Sequence, residues 1–288
     1  MTNIDDLPAR FHDLFSREEH AEDRYTWSHC EPHSRDEAVW WLADLIVTLR
    51  CGALPDYYDL WRSNVNGEGV EVTPTQTQVL QTLATNLLPS GSAGTNLLPS
   101  GSAGTNDHEQ GLVAEHIWFA LTRETVADGR TLVRIEEPGW SVTDQGADGL
   151  AVFRVDEDLT FRLWETKEHD AEGKVGDTVN RACRQLDSNG IAYLARMSKT
   201  TQEAIRDDDE LAGFYARMPD MWGDGDAGSG AGVSVTTSDQ TDWTDCFAGL
   251  PNYFEEHAGD RQREGLITRI PEFDKFTIAV REAIWKGL

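Results

Sequence analysis

Two neighbouring segments in the middle of the chain have the pattern of a β-hairpin, and the charges at its open end limit what the chain can fold into. Residues 149–155 and 160–166 are rich in apolar and β-branched side chains, and the acidic turn 156–158 separates them. Glu165 and Lys167 share one face of the second strand with its apolar residues, since side chains alternate along a strand. A carboxylate and an ammonium therefore point into an interior or a cleft, which is costly unless they are paired or serve a site.

A second carboxylate stands at the head of the first strand. Asp148 is in phase with the apolar residues that follow it, and a hairpin can bring it beside Glu165. Two carboxylates in one pocket repel each other unless a proton or a metal ion lies between them. Oxygen ligands of this kind suit Mg²⁺, with Mn²⁺ as an alternative. Lys167 could then orient or deprotonate an attacking water and offset negative charge on a phosphoryl group.

Glu115 is the third acid of this candidate site. It lies in residues 112–121, which are apolar nearly all round, as in a buried helix. A glutamate among such neighbours is rarely buried without a partner, and a metal-bound water is one such partner. The sequence therefore predicts catalytic roles for Asp148, Glu165, Lys167 and Glu115, with the three acids as metal ligands.

The chain is predicted to be an α/β protein in three parts. Residues 1–84 are expected to be a helical N-terminal region. Residues 85–106 hold a ten-residue sequence repeated without change, whose Gly and Ser content is typical of a flexible linker or exposed loop. Residues 107–288 are expected to form an α/β domain with a C-terminal helix.

Within that domain the expected order is helix, three-stranded meander, helix, strand. The helix after the meander is placed near residues 177–187 and is expected to stop at Asn189-Gly190. Residues 191–196 are then interpreted as the next strand.

The charge balance excludes some partners and indicates a host. The chain has 51 acidic and 25 basic residues, a net charge of −26, with 20 Arg and only 5 Lys. Such a composition is typical of proteins from salt-loving organisms. It argues against a general nucleic-acid coat or an anionic-membrane binder, and it predicts weak binding of DNA by this chain alone. The sequence shows no long apolar run, no signal sequence and no paired cysteine spacing. We therefore expect a cytoplasmic protein with reduced thiols and no membrane partner.

The order and spacing of these residues resemble the PD-(D/E)XK nuclease superfamily, whose fold is that of restriction endonucleases. The resemblance covers residues 110–199 and rests on Glu115, Asp148 and Glu165-Thr-Lys167. Ala147 stands where the motif's proline would be. The resemblance implies a Mg²⁺-dependent endonuclease that hydrolyses DNA, with substrate contacts from three polar residues of the following helix, Arg181, Arg184 and Gln185.

Chain size, the helical N-terminal part and the acidic series are also similar to the HamA-like nucleases of the Hachiman antiphage system. That similarity implies a role in antiviral defence with a helicase partner. The alternative is a non-catalytic sensor or helicase-binding subunit on a nuclease-like scaffold.

Two other groups of residues compete with the acidic site. His29, Cys30 and His33, with Cys51, could supply zinc ligands, although their spacing matches no common zinc pattern. A histidine-based hydrolase would use His116 or His169, but the chain has no G-x-S-x-G nucleophile motif. Both histidines are expected only to flank the acidic site.

Overall fold

The fold is taken from a computed structural model. It describes residues 4–85, 104–124, 129–139, 148–169, 173–205, 208–238 and 243–288. The strands are β1 (Phe15–Ala21), β2 (Thr26–Pro32), β3 (Arg130–Ile135), β4 (Gly149–Val155), β5 (Asp158–His169), β6 (Ala231–Thr237) and β7 (Arg263–Arg269). The helices are α1 (Arg35–Cys51), α2 (Pro55–Asn66), α3 (Pro74–Thr85), α4 (Gly104–Arg123), α5 (Val175–Ala204), α6 (Asp209–Gly223), α7 (Leu250–Tyr253) and α8 (Phe273–Lys286).

The described strands form one mixed sheet in the order β1-β2-β7-β6-β5-β4-β3. Strands β3, β4 and β5 are an antiparallel meander, and β5, β6, β7 and β2 are parallel neighbours. The β4–β5 hairpin turns at Asp156, whose φ of 52° is in the left-handed region that tight hairpin turns use. The expected α/β class is therefore confirmed, with a seven-stranded sheet at its centre.

Helices cover both faces of the sheet. One apolar core joins it to α1, α2, α4 and α8, and the other joins it to α5, α6 and α7. Every residue of β6 is buried, as expected for a parallel strand covered on both faces. Adjacent residues of β5 consequently face different helices.

The element order around the hairpin is α4, then the meander β3-β4-β5, then α5, α6 and β6. The prediction of a helix stop at Asn189-Gly190 and a strand over residues 191–196 was wrong, because α5 continues through both. Leu186, Gly190 and Leu194 are four residues apart, so they form one buried stripe along the helix. A Cβ on Gly190 would lie 2.7 Å from the Trp222 ring of α6, so this glycine permits close helix packing rather than a turn.

The N-terminal region is not only helical. Residues 15–32 form β1 and β2, and β2 pairs in parallel with β7, from the last third of the chain. One sheet thus takes strands from both sides of the repeat. Residues 86–103 of the predicted linker lie outside the described residues, and 104–106 belong to α4. The three-part division of the chain stays a prediction.

The C-terminal helix is present as α8, and its stripe Phe276, Val280 and Ile284 is buried. Among the described residues, no helix is both long enough and apolar enough to span a membrane.

Two helical glycines should respond oppositely to alanine substitution. Gly190→Ala should lower the free energy of unfolding by about 1–3 kcal/mol, since the added methyl group meets Trp222. Gly213 is on the exposed side of α6, and no other element lies within 4 Å of the position its Cβ would take. Gly213→Ala should therefore raise the free energy of unfolding by about 0.5–1 kcal/mol. Urea unfolding of both variants measures this. A neutral Gly190→Ala would contradict the close packing of this position against Trp222.

Candidate active site

The hairpin register brings the two carboxylates together. Gly149 of β4 pairs with Trp164 of β5, so Asp148 continues the ladder opposite Glu165. The backbone N–H of Thr166 donates to Asp148 Oδ2 at 2.7 Å. This hydrogen bond fixes the Asp148 side chain on the strand that carries Glu165.

Lys167 lies beside both acids. Its Nζ atom is 2.5 Å from Glu165 Oε1 and 3.7 Å from Asp148 Oδ2. The exposed fraction of the side chain rises from 0% at Glu165 through 15% at Asp148 to 23% at Lys167. The cluster therefore extends from the interior to near the protein surface, with Glu165 at the buried end and Lys167 at the more exposed end.

Burial and mutual repulsion make Glu165 a weak acid. Burial is the larger cause and the charge of Asp148 is the second, and together they raise the pKa of Glu165 to about 8 although Lys167 opposes them. Burial also raises the pKa of Asp148, against Lys167 and the Thr166 N–H. Two such carboxyls hold a proton between them near neutral pH when no other cation is present.

Lys167 remains an ammonium in this setting. Burial alone would lower its pKa, but Asp148 and Glu165 outweigh that effect, and the net pKa is raised. Glu115 adds a smaller contribution in the same direction, which places its charge near the cluster. A fixed positive charge is thus built between the acids.

Glu115 lies on α4, and its charge acts on Lys167. Its side chain is half-buried, whereas Ala114 and His116 on either side are fully buried. The structure therefore gathers all four residues predicted from the sequence, three in direct contact and Glu115 through its charge. Their catalytic roles stay a prediction.

The three residues predicted to contact substrate lie on α5. Arg181 and Arg184 are exposed on the helix surface. Gln185 is half-buried and donates to the hydroxyl of Tyr193 at 3.5 Å, on its own helix. Within the described ranges, no hydrogen bond or ion pair joins these residues to the acids or to Lys167, and their contact with a substrate stays a prediction.

His169 has a structural role beside the site that the sequence pattern did not reveal. Its Nδ1 atom is 2.9 Å from the hydroxyl of Thr178, which joins the end of β5 to the first turns of α5. His169 follows Glu165 and Lys167 at the two-residue spacing of a strand face, so the same alternation could have identified it. Thr178 carries no comparable signal in the sequence.

His116 is a core residue of α4. Its Nδ1 atom lies 2.8 Å from the carbonyl oxygen of Leu112, and complete burial lowers the pKa of the imidazole to about 3. The ring is therefore neutral at pH 7, and it packs in the core next to Glu115.

The donor set of the acid cluster fits a hard divalent cation. Glu165 Oε2 is buried and no other protein group donates to it, so either the proton shared with Asp148 or a cation must satisfy it. Asp148 and Glu165 together offer the carboxylate oxygens that Mg²⁺ prefers, with other positions left for water and substrate. The described residues contain no ready-made group of three acidic, histidine or cysteine ligands. Asp148, Glu165 and Glu115 as the metal ligands stay a prediction.

The alternative zinc site near residue 30 has unsuitable thiols. Cys30 and Cys51 are buried in the apolar core, and burial raises the pKa of each to about 11. A zinc ligand must be a thiolate, which this environment disfavours. The His29 ring instead packs against Trp243, with ring centres 4.4 Å apart.

No known family model matches the chain, and no curated protein is significantly similar to it. A function for the chain therefore has to follow from the geometry and electrostatics of its own residues.

Without divalent metal, the protein should lose stability as pH rises from about 5 to about 8. Folding raises the pKa of Glu165 from its ordinary 4.5 to about 8, so the folded state holds this proton more tightly than the unfolded chain. That stabilisation is complete below pH 4.5 and is lost as pH rises through 8. Glu165→Gln lacks this titrating group. As pH rises from about 5 to about 8, its free energy of unfolding should therefore increase by about 1–3 kcal/mol relative to that of the parent.

Urea unfolding in the presence of a chelator at both pH values measures the difference. Glu157→Gln, in the exposed turn of the same hairpin, is the matched control and should follow the parent. Equal pH slopes for Glu165→Gln and the parent would show that this carboxyl is already ionised in the folded state at the lower pH.

Proposed function

We propose that this protein is a Mg²⁺-dependent nuclease of the PD-(D/E)XK class that hydrolyses phosphodiester bonds in DNA. The observation that carries the proposal is the contact of Lys167 with both Asp148 and Glu165 at the end of β5. A buried acid pair with a lysine between them is costly to fold, and such groups cluster where chemistry is performed.

Each residue then has a distinct part in the reaction. Asp148, fixed by the Thr166 N–H, and Glu165, whose second oxygen no other protein group satisfies, would hold the cation in place of the proton that they share. A divalent cation there would supply positive charge next to the scissile phosphate. Lys167 would add a second positive charge for the phosphoryl oxygens as water attacks phosphorus and the sugar oxygen departs. The raised pKa of Lys167 favours this electrostatic role over removal of a proton from water.

The charge of the whole chain supports a partner for substrate binding. A net charge of −26 repels DNA at long range, so phosphate contacts must come from the site, from local arginines or from another protein. We propose a helicase as that partner, in antiviral defence, because of the resemblance to the HamA-like nucleases. Arg181 and Arg184, exposed on α5, are the candidate DNA contacts within this chain.

Plasmid nicking with Mg²⁺ or Mn²⁺ tests the proposal. Glu165→Gln and Lys167→Met should each lower the nicking rate at least about 100-fold, because each removes a charge aimed at the reacting phosphate. Lys174→Ala is the matched control, because Lys174 is an exposed lysine in the chain's other Glu-x-Lys sequence. This variant should nick plasmid at the parent rate.

Equal nicking by the parent, Glu165→Gln and Lys167→Met would refute this site. Failure of the parent to cut DNA both alone and with a copurifying helicase would favour the alternative, a non-catalytic subunit.

A further inference from the structure

A β-bulge in β3 turns one arginine onto the face of the sheet that carries the acid cluster. Leu132 pairs with Phe153 of β4, but Arg134, two residues later, pairs with Val152, which is only one residue away from Phe153. Val133 is therefore the extra residue of the bulge, and its side chain is exposed. Directly opposed residues of an antiparallel pair share a face, so Arg134 lies on the face of Val152 and not on that of Leu132.

This face is the one from which Asp148 points. Val152 and Asp148 are four residues apart along one strand direction, so alternation puts both on the same side of the sheet. The backbone N–H of Glu136 donates to the carbonyl oxygen of Leu150 at 2.9 Å, so β3 continues beside β4 in the direction of Asp148. Arg134 and Glu136 therefore occupy the two rows that precede Asp148 on this face.

The Arg134 side chain is held through its Nε atom. This atom donates to Glu136 Oε1 at 3.0 Å, and the buried hydroxyl of Tyr215, from α6, donates to the same oxygen at 2.7 Å. The four residues from Val152 to Asp148 span roughly 13 Å, which equals about four nucleotides of a B-DNA strand. The contact with Glu136, one row closer, directs the guanidinium toward Asp148 and shortens that distance.

The outer end of the Arg134 guanidinium can still bind a ligand. Its side chain is 33% exposed, and an arginine has five N–H donors. Within the described residues its partners are Glu136 and Tyr215, which leaves most of these donors unused. Arg154 of β4 is equally exposed, at 34%, but both of its terminal nitrogens donate to Glu210 at 3.0 Å.

We propose that Arg134 binds a backbone phosphate of the DNA substrate, within about four nucleotides of the scissile bond. Guanidinium N–H groups and phosphate oxygens form charge-assisted and often bidentate hydrogen bonds. Glu136 and Tyr215 are positioning residues, because they act on the DNA only through Arg134. The inference rests on the proposed nuclease function and adds a contact on β3 to the candidates Arg181 and Arg184 on α5.

An ion pair that only stabilises the fold explains this arrangement less well. A partly exposed pair such as Arg134–Glu136 adds little to stability, so it gives no reason for a buried hydroxyl to hold Glu136 in place. β-Bulges are also common next to active sites, where they redirect a side chain.

Fluorescence anisotropy of a labelled DNA duplex tests the contact, with a chelator present so that no cutting occurs. Arg134→Gln should weaken binding about five- to tenfold. It should also lower the slope of log Kd against log salt concentration by about 1, because one phosphate contact is lost. Arg134→Lys keeps the charge and should keep the parent slope. A merely structural role of Arg134 would leave the slope unchanged in both variants.

Tyr215→Phe tests the positioning role. It removes only the hydroxyl group that holds Glu136, so Arg134 keeps its charge but loses part of its orientation. We expect binding about threefold weaker than that of the parent, with an unchanged salt slope. Added to Arg134→Gln, Tyr215→Phe should have no further effect. Arg154→Gln is the matched control, because its guanidinium is already paired with Glu210, and it should bind DNA like the parent.

Plasmid nicking with Mg²⁺ separates this contact from the proposed chemistry. Arg134→Gln should raise KM about five- to tenfold and leave kcat within about twofold of the parent, because the contact is made equally in the bound substrate and in the transition state.

The two proposals fail in different ways. If Lys167→Met abolishes nicking but Arg134→Gln keeps the affinity and salt slope of the parent, the Arg134 contact is refuted and the proposed function stands. If Arg134→Gln weakens binding as expected but Glu165→Gln and Lys167→Met nick like the parent, the proposed function fails and the contact stands. The contact is also refuted if Arg154→Gln weakens binding as much as Arg134→Gln, or if the parent binds no DNA at about 100 µM protein.

Discussion

A carboxylate with no exposed surface must be compensated from inside the protein, and the site follows from that requirement at Glu165. Water cannot solvate this carboxylate, so Lys167 pairs with one of its oxygens. A shared proton or a cation is also needed to offset the repulsion between Glu165 and Asp148. The other oxygen accepts no hydrogen bond from any other protein group. Few structural proteins need such an arrangement, because an apolar residue of similar size would be easier to bury.

The parts of the fold that depend on short-range patterns could be predicted from the sequence. Strands β4 and β5 follow from alternation around an acidic turn, and their pairing sets the Asp148–Glu165 contact. The buried helix α4 follows from its apolar composition. Gly190 was misinterpreted because a glycine that lets two helices pack closely looks, in one sequence, like a glycine that ends a helix.

The parts that depend on distant partners could not be predicted. β1 has mostly polar, partly exposed residues, as an edge strand can, and so lacks an apolar alternation. β2 pairs with β7 in the register Thr26 to Glu264, which no local pattern signals.

The pairing of β2 with β7 also has a consequence for how the chain folds during synthesis. The hairpin β1–β2 can form early, but the parallel neighbour of β2 follows only near the end of the chain, as the Thr26–Glu264 register shows. Until then β2 presents an open strand edge, the kind of surface on which chains aggregate. The outer edge is less hazardous, since β1 carries the charged run Arg17, Glu18 and Glu19. Nascent chains should therefore be most vulnerable on the β2 side of this hairpin, and contacts between distant segments should make folding slow.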